Sequence, residues 1–400
     1  MLDFIKKALW QYYVIVLAIF IVVLVWGLSG VLWGGGQMYR LFTSYLVYPG
    51  VTGFFGVILG IKSARYKWLY PFYSGGLAFI AALILFRGSI LLLMSYFAFP
   101  FLAAIIGLCI GAIIFKTRSE TKIKLKMITK MALAVFSIIL FTHIIHAFTL
   151  DRIVEYTEVS FYSPNLPPRL DGYRIAFIVD THYMSVGRMT GIVDELNQRE
   201  LDLLVLGGDF AMIAGGMQMR TALEIFSQIE TTDGIYGVEG NHDNYRHLFA
   251  AMEAHGMMPL SNSGYHVREG IFIAGVHDLW NRSPNVAAAV EGARPDDFVL
   301  LISHNPDVAM QQDTTHVDLI LSGHTHGGQI TFFGLWAPYL TIFNSITDYG
   351  QRFRAGWSES RDGTPVYVSR GVGEYLPRVF ARPQVVIITL WRCDTVGGNQ

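Results

Sequence analysis

The chain has 400 residues, of which 52% are hydrophobic and only 15% are charged, and this composition is too apolar for an ordinary soluble enzyme. The formal net charge of -1 indicates no electrostatic partner, and the second half has no lysine or arginine cluster typical of nucleic-acid binding. Most of the apolar excess precedes Asp151, so we predict two parts, each large enough for its own core. The two cysteines, Cys109 and Cys393, predict neither a disulfide nor a thiolate metal site.

The first part contains several stretches that are apolar enough to cross a bilayer, which takes about 20 mostly apolar residues in a helix. We predict a transmembrane domain over residues 1–150, with about five spans at 10–33, 42–61, 69–86, 90–115 and 131–148. The first span is too long for a signal-peptide core, and no small-residue cleavage pattern follows it, so we expect it to be retained. His143 and His146 lie one helical turn apart in the fifth span. We interpret them as interfacial, with a contact to the bundle, a headgroup or a metal as the alternative.

Lysine and arginine gather before the first span, after the second, and between the fourth and the fifth. Segments of this kind stay in the cytoplasm, so five spans place everything after Phe148 outside it. The side depends on the count, because merging the third and fourth spans would put the second part in the cytoplasm. With either count we predict a multi-pass protein of the cell membrane, whose partner is the lipid bilayer.

The second part, residues 151–392, alternates predicted strands with helices, and a tail of residues 393–400 follows. Strand, polar tip and helix recur in this order, which is the pattern of an α/β fold. The apolar runs that we predict as buried strands are 173–179, 203–206, 235–238, 271–275, 298–302 and 317–321. We also predict an opening strand at 154–161 and final strands near 365–369 and 385–390.

Side chains that can bind metals follow five of these strands directly. They are Asp180 with His182, Asp209, Asn241 with His242 and Asp243, His304, and His324 with His326. Each alone has an ordinary alternative, such as a helix cap, a turn residue or a buried core histidine. Their coincidence at strand ends, where open α/β sheets bind ligands, predicts a metal site. The set exceeds what one ion requires, and its mixture of carboxylate and imidazole fits two divalent ions.

Two such ions clamp the oxygens of an in-line displacement and lower the pKa of a bound water. Phosphoryl transfer is the chemistry that most requires this neutralisation of charge. No serine or cysteine is paired with a base in the strand tips, so we predict direct attack by metal-bridging hydroxide without a covalent intermediate. Mn, Fe and Zn all tolerate such mixed ligands, and we expect two ions of this kind as cofactors.

Together, the strand tips resemble the signature of the calcineurin-like metallophosphoesterase superfamily. The matching motifs are Asp180-x-His182, Gly208-Asp209, Gly240-Asn241-His242-Asp243, His304 and Gly323-His324-x-His326. Segments 303–307, 327–329 and 367–371 are further similar to its YkuE/YaeI-like branch of membrane-associated phosphohydrolases, which is similar to some UDP-diacylglucosamine pyrophosphatases. The resemblance covers about residues 154–390, and it implies a metallophosphoesterase domain built as a two-sheet β-sandwich flanked by helices.

The resemblance also implies roles for individual residues. One ion would be bound by Asp180, His182, Asp209 and His326, and the other by Asp209, Asn241, His304 and His324. His242 would stabilise the transition state or protonate the leaving oxygen, and Asp243 would orient it. The chain departs from the family pattern at Phe210-Ala211-Met212, where a second acidic residue is common, and at Gln384, where glutamate is common. We interpret both departures as bearing on the substrate.

We therefore predict a membrane-anchored, dinuclear-metal phosphohydrolase that cleaves a phosphoester or pyrophosphate bond outside the cytoplasm, with a phosphodiesterase activity and a lipid-linked substrate among the options. A cytoplasm-facing pyrophosphatase of the UDP-diacylglucosamine type is an alternative. A non-catalytic receptor or assembly factor that only binds a ligand is an alternative of another class, and the complete set of metal ligands argues against it. Phe332, Phe333, Trp336 and Tyr339 form either an apolar lip toward the bilayer or an acyl chain, or ordinary packing.

Overall fold

The computed structural model describes residue 17 and residues 48–61, 69–85, 101, 103–111, 119–182, 184–211, 217–343, 346–373 and 378–393. The chain divides into two compact units, Met1–Leu140 and Phe141–Gln400. The described part of the first unit is helical. It comprises α1 (Tyr48–Ile61), α2 (Tyr70–Leu85), α3 (103–111) and the first part of α4 (Ser119–Phe148), which continues into the second unit.

Glycines allow α1 and α3 to pack closely. A Cβ atom added to Gly107 would overlap the carbonyl oxygen of Gly53, and one added to Gly56 would overlap that of Ala104. Small residues at helix contacts are typical of helices packed within membranes, where backbones can approach closely. The Tyr70 hydroxyl of α2 donates a hydrogen bond of 3.1 Å to a carbonyl oxygen of α1.

Among the described residues, one helix is long and apolar enough to cross a membrane, Met131–Arg152, and it includes the predicted span 131–148. The predicted spans 42–61, 69–86 and 90–115 contain α1, α2 and α3, whose described helical lengths are shorter than the membrane-crossing length. The predicted span 10–33 lies outside the described residues except for residue 17, and the tail 393–400 does so except for Cys393. The number of spans therefore stays a prediction.

The second unit contains twelve strands among its described residues. Their bounds are β1 (Glu155–Ser163), β2 (Tyr173–Ile178), β3 (Leu203–Leu206), β4 (Ile235–Gly237), β5 (Met258–Pro259), β6 (Ser263–Arg268), β7 (Ile271–Gly275), β8 (Phe298–Ile302), β9 (Leu319–Ser322), β10 (Gly356–Glu359), β11 (Pro365–Val368) and β12 (Gln384–Arg392). The helices between them are α5 (Val186–Leu196), α6 (Met217–Phe226), α7 (Tyr245–Ala254), α8 (Val286–Val290) and α9 (Val308–Gln311).

These strands form two six-stranded mixed sheets, which confirms the predicted α/β class. The first has the order β1-β12-β2-β3-β4-β5, and the second has the order β10-β11-β9-β8-β7-β6. Strands β2 to β5 run parallel in the first sheet, and β7, β8, β9 and β11 run parallel in the second. The short strands β5, β6 and β10 were not predicted from the sequence.

Alternate residues of the central strands belong to different cores, as the two-residue period of a strand requires. Ile175 and Phe177 of β2 share one buried cluster with Leu300 of β8 and Leu319 of β9, so this core joins the two sheets. The intervening Ala176 and Ile178 pack instead in a cluster with residues of helices α5 and α6. Because the central strands are buried on both faces, their sequences are continuously apolar, which is why they were predictable.

Candidate metal centre

The polar tips of five parallel strands converge at one place. Strands β2, β3 and β4 of the first sheet lead into Asp180 with His182, Asp209, and Asn241, respectively. Strands β8 and β9 of the second sheet lead into His304, and into His324 with His326. The structure therefore brings all seven predicted metal ligands together, from both sheets.

The first group of ligands consists of Asp180, His182 and His326. Their ligand atoms all lie within 4.8 Å of one another. The two imidazoles face each other with 3.1 Å between their Nε2 atoms, and Nε2 of His326 lies 3.9 Å from Oδ1 of Asp180. One divalent ion could accept all three side chains from this spacing.

The second group consists of Asp209, His304 and His324, also within 4.8 Å of one another. Nε2 of His304 lies 3.3 Å from Nδ1 of His324 and 3.2 Å from Oδ1 of Asn241. Oδ2 of Asp209 lies 3.2 Å from His304 Nε2 and 3.6 Å from His182 Nε2. The Asp209 carboxylate thus lies between the groups, where a bridging ligand would be.

The backbone at these ligands is conformationally unusual. Asp180, His182, Asp209, His324 and His326 all have φ between +38° and +69°, a region that residues other than glycine rarely adopt. Such conformations cost about 1–3 kcal/mol each and persist where the surrounding structure imposes them, typically at functional sites. They turn the side chains of successive loop residues toward one point.

Close backbone approach at the centre requires glycine. A Cβ atom on Gly240 would overlap the carboxylate of Asp209, and one on Gly371, whose φ is +68°, would overlap the side chain of Asp180. Any side chain at either position would displace a ligand carboxylate.

The centre contains buried carboxylates whose negative charge has to be neutralised by protons or by cations. Asp180 and Asp209 are both buried. Burial raises the pKa of Asp180 to about 7, with the Asp209 carboxylate acting in the same direction and His304 opposing it. Burial would also raise the pKa of Asp209, but the surrounding histidines, His304 foremost, hold it below the usual range. The donor set of buried carboxylates and imidazoles therefore fits divalent cations, which would replace the protons that otherwise neutralise it.

Burial favours the neutral form of His182 and His324, which is the form of histidine that binds metals. Burial lowers the pKa of His182 to about 4 and that of His324 to about 3. Burial also acts to lower the pKa of His304, but Asp209 and Asp180 raise it well above its ordinary value. Nδ1 of His304 donates a hydrogen bond of 2.8 Å to the carbonyl oxygen of Gly207. Nε2 of His324 donates one of 3.0 Å to the carbonyl oxygen of Ile346. Such outer contacts fix the tautomer and leave the other ring nitrogen free to bind a metal.

His242 and Asp243 lie beside the ligands. The His242 ring meets the His182 ring edge to face at 5.4 Å, and its backbone N–H donates 2.8 Å to Oδ1 of Asp209. The Asp243 carboxylate accepts hydrogen bonds from four backbone N–H groups, those of Asp209 (2.7 Å), Phe210 (3.0 Å), Ala211 (3.3 Å) and Gly240 (3.0 Å). Asp243 therefore ties the β3 and β4 loops together, and its predicted orientation of His242 stays a prediction.

Sequence reasoning missed three residues near the centre. Arg378 is fully buried, donates to the carbonyls of Gly373, Arg370 and Ala381, and lowers the pKa of Asp180 through its charge. The Trp280 indole meets the His324 ring edge to face at 4.5 Å, and Asn281 donates 2.6 Å to the carbonyl of Asn241. All three belong to loops without a local pattern, so no signal in the sequence pointed to them.

Comparison with known proteins agrees with this geometry. Residues 173–328 match the calcineurin-like phosphoesterase family, and this segment contains all seven predicted ligands with His242 and Asp243. The uncharacterized metallophosphoesterase YkuE of Bacillus subtilis is 28% identical over 255 residues, which cover 60% of this chain and 86% of YkuE. The phosphodiesterase YaeI of Escherichia coli is 26% identical, over 58% of this chain and 86% of YaeI.

A vertebrate protein is similar over a larger part of this chain. The transmembrane protein with metallophosphoesterase domain of Danio rerio is 29% identical over 286 residues, which cover 66% of this chain and 62% of that protein. Two Helicobacter pylori metallophosphoesterases are each matched over 61% of their length. The chain thus spans less than two thirds of the length of these three relatives.

Metal affinity should fall as the pH decreases through 7. A carboxyl group whose pKa is raised to about 7 is protonated below that pH, so an ion must displace the Asp180 proton. Each displaced proton weakens apparent affinity by up to about tenfold per pH unit below the pKa. Titration of the metal-free chain with Mn²⁺ at about pH 8, 7 and 6 measures this. Asp180→Asn, the control, should bind weakly throughout and show a shallower slope, whereas equal wild-type affinities at pH 6 and 8 would contradict the expectation.

Proposed function

Since this chain carries a domain of the calcineurin-like metallophosphoesterase family, whose members are metal-dependent phosphoester hydrolases, we propose that it hydrolyses a phosphoester or pyrophosphate bond with two divalent ions. The observation that carries the proposal is the convergence of two ligand groups from two sheets around the shared carboxylate of Asp209. The presence of all seven predicted ligands also favours a hydrolase over the alternative of a receptor that only binds a ligand.

The ligands divide between two ions as the family pattern implies. Asp180, His182 and His326 would hold one ion, and Asn241, His304 and His324 would hold the other, with Asp209 between them. The two clusters of ligand atoms and the intermediate position of Asp209 support this division. When bound, such ions neutralise phosphoryl oxygens and activate water as the nucleophile. Mn, Fe and Zn suit the mixed ligands equally, so the donor set does not select among them.

His242 is the residue of this chain that we assign to proton transfer. Its ring is partly exposed beside the buried His182, and we place the leaving oxygen of a bound ester next to it. Its backbone N–H is held by Asp209, so the ring is positioned by the same carboxylate that joins the two ligand groups. We assign to it protonation of the leaving oxygen, or hydrogen bonding to the charge that develops on it.

Asp243 is assigned a positioning role. Its carboxylate accepts four backbone N–H groups from the loops that carry Asp209 and Asn241, so it fixes the distance between these two loops. Through that distance it sets where His242 stands relative to the ligands. Burial, with Asp209 acting in the same direction, raises the pKa of Asp243 to about 7, and these N–H groups oppose the shift.

The hydrolase is further proposed to be anchored in the membrane by the helix Met131–Arg152. Its apolar length supports this, as does the similarity to the Danio rerio relative, whose name describes a transmembrane protein. From the distribution of lysine and arginine over five predicted spans, we propose that the catalytic domain lies outside the cytoplasm. The cytoplasm-facing pyrophosphatase is the alternative that an even number of spans would give.

Replacement of His242 by alanine should lower kcat by about 10²–10⁴-fold, because a general acid contributes that much. The loss should be smaller for p-nitrophenyl esters than for alkyl esters, since a good leaving group needs little protonation. The full-length chain is assayed with Mn²⁺ on both kinds of ester, and its metal content is measured in parallel.

His247→Ala, which removes an exposed imidazole on α7, is the matched control and should retain full turnover. Unchanged turnover in His242→Ala would contradict the assigned role. Absence of turnover in the wild-type chain, at full metal occupancy and on monoester, diester and pyrophosphate substrates, would favour the non-catalytic alternative.

The side of the membrane can be tested with Cys393, which is partly exposed after β12. In a Cys109→Ala background, a membrane-impermeant maleimide should label Cys393 in intact cells that produce the chain. Labelling only after the cells are permeabilised would contradict the extracytoplasmic proposal and support the cytoplasmic alternative. Cys393→Ala in the same background controls for labelling elsewhere.

A further inference from the structure

A hairpin of apolar residues, 331–336, follows the loop of the ligand His326. Four of its side chains are substantially exposed, with relative exposures of 50% for Phe332, 38% for Phe333, 78% for Leu335 and 40% for Trp336. No Asp, Glu, Lys or Arg occurs between His326 and Asp348. An exposed cluster of large apolar side chains without charges marks a surface that contacts another apolar phase.

This exposure belongs to an ordered hairpin. Phe332 and Trp336 form an antiparallel bridge, with the Phe332 N–H donating 2.7 Å to the Trp336 carbonyl. Gly334, whose φ is +73°, makes the turn, and its N–H donates 2.9 Å to the Thr331 hydroxyl. That hydroxyl donates in turn to the Val379 carbonyl at 3.0 Å, which fixes the base of the hairpin. The apolar side chains are thus held outward by the backbone.

Phe332 and Phe333 of the hairpin pack against the end of α4. The His143 ring lies 5.5 Å from the Phe332 ring and 4.6 Å from the Phe333 ring. His143 lies five residues before the end of α4 at Phe148, which corresponds to about 7–8 Å along a helix axis. The hairpin therefore stands beside the final turns of the helix, at a level where Phe141, Ile144 and Ile145 are also exposed.

A second set of contacts fixes the helix end to the domain. The His146 ring stacks on the Phe380 ring at 3.9 Å, and its Nδ1 lies 2.7 Å from Oδ2 of buried Asp151. The Asp151 carboxylate also accepts the backbone N–H groups of Phe380 (2.8 Å) and Ala381 (3.1 Å). Phe333 and Phe380 have φ of +53° and +52°, which is exceptional for bulky residues. The helix end, the hairpin and the 378–381 loop therefore form one ordered assembly.

We propose that hairpin 331–336 inserts into the interfacial region of the lipid bilayer beside α4. The occupant of its apolar surface is the bilayer, because the hairpin adjoins the exposed apolar end of the helix that is long and apolar enough to cross a membrane. Tryptophan at that level is typical of the membrane interface, where one end of the ring is apolar and the other is hydrated.

Insertion has a consequence for the metal centre. His326 precedes Phe332 by six residues, a distance of at most about 20 Å even for an extended chain. The hairpin and the helix end would hold the domain by two elements, which fixes its tilt as well as its distance from the bilayer. The metal centre is then held close to the membrane surface, within reach of phosphate groups at headgroup level.

Spin labels on the full-length chain, reconstituted in phosphatidylcholine vesicles, test the insertion. In a background with both native cysteines replaced by alanine, a nitroxide is attached at Leu335→Cys, at Phe141→Cys or at Tyr162→Cys. Tyr162 is the matched control, because it is 56% exposed but lies at the far end of β1. Power-saturation measurements compare collision with oxygen, which concentrates in lipid, and with a water-soluble nickel chelate.

The label at position 335 should collide several-fold more with oxygen, relative to nickel, than the label at 162, and should approach the ratio found at 141. A lipid-like ratio at 141 with a water-like ratio at 335 would overturn the hairpin proposal and leave the helix anchor intact. Water-like ratios at both positions would overturn the anchor as well. Shielding of the 335 label from both reagents, with dipolar broadening between labels, would mean that a second copy covers the hairpin, and would also overturn the proposal.

Intrinsic fluorescence provides a check without labels. Vesicles containing brominated lipids should quench the wild-type chain more than the Trp336→Phe variant, because the variant lacks one interfacial indole and keeps every other tryptophan of the chain. Equal fractional quenching of the two proteins would overturn the proposal. Neither measurement depends on hydrolysis, so failure of the proposed function would be seen separately, in the ester assays.

Discussion

The electrostatic requirement of two buried carboxylates shapes this domain. Asp180 and Asp209 come from neighbouring strands of one sheet and lie against histidines supplied by the other. Without cations, protons neutralise this charge: burial raises the pKa of Asp180 to about 7, and Asp209 and Asp180 raise the pKa of His304 well above its ordinary value, against the effect of burial. Divalent ions would satisfy the same requirement, and such ions can activate water against a phosphoryl group.

This arrangement requires strained backbone conformations, which the surrounding contacts maintain. Five ligands adopt left-handed φ values, and glycines at 240 and 371 let neighbouring loops come within contact of the carboxylates. Asp243 adds four hydrogen bonds to the backbone of the loops that carry Asp209 and Asn241. The positions of the predicted ligands are thus set by the strand ends of two sheets and refined by residues that would not themselves touch an ion.

Much of the fold and most of the centre could be predicted from the sequence, because buried strands are continuously apolar and their tips carry ligand residues. Short or edge strands such as β5 and β10 lack that signal. Arg378 and Trp280 reach the centre only through tertiary packing, so their proximity depends on loop paths that have no local pattern. The aromatic residues after His326 left two interpretations open. Their exposure beside His143 favours the apolar lip.

The most direct measurement is the number of divalent ions bound by the purified full-length chain and by its Asp209→Asn variant, with turnover of an aryl phosphoester recorded on the same samples. A centre built around a shared carboxylate predicts two ions per chain with turnover, and a loss of both metal occupancy and turnover in the variant. Two tightly bound ions in Asp209→Asn with undiminished turnover would contradict the central claim, since the Asp209 carboxylate would then not be the ligand that the two ions share.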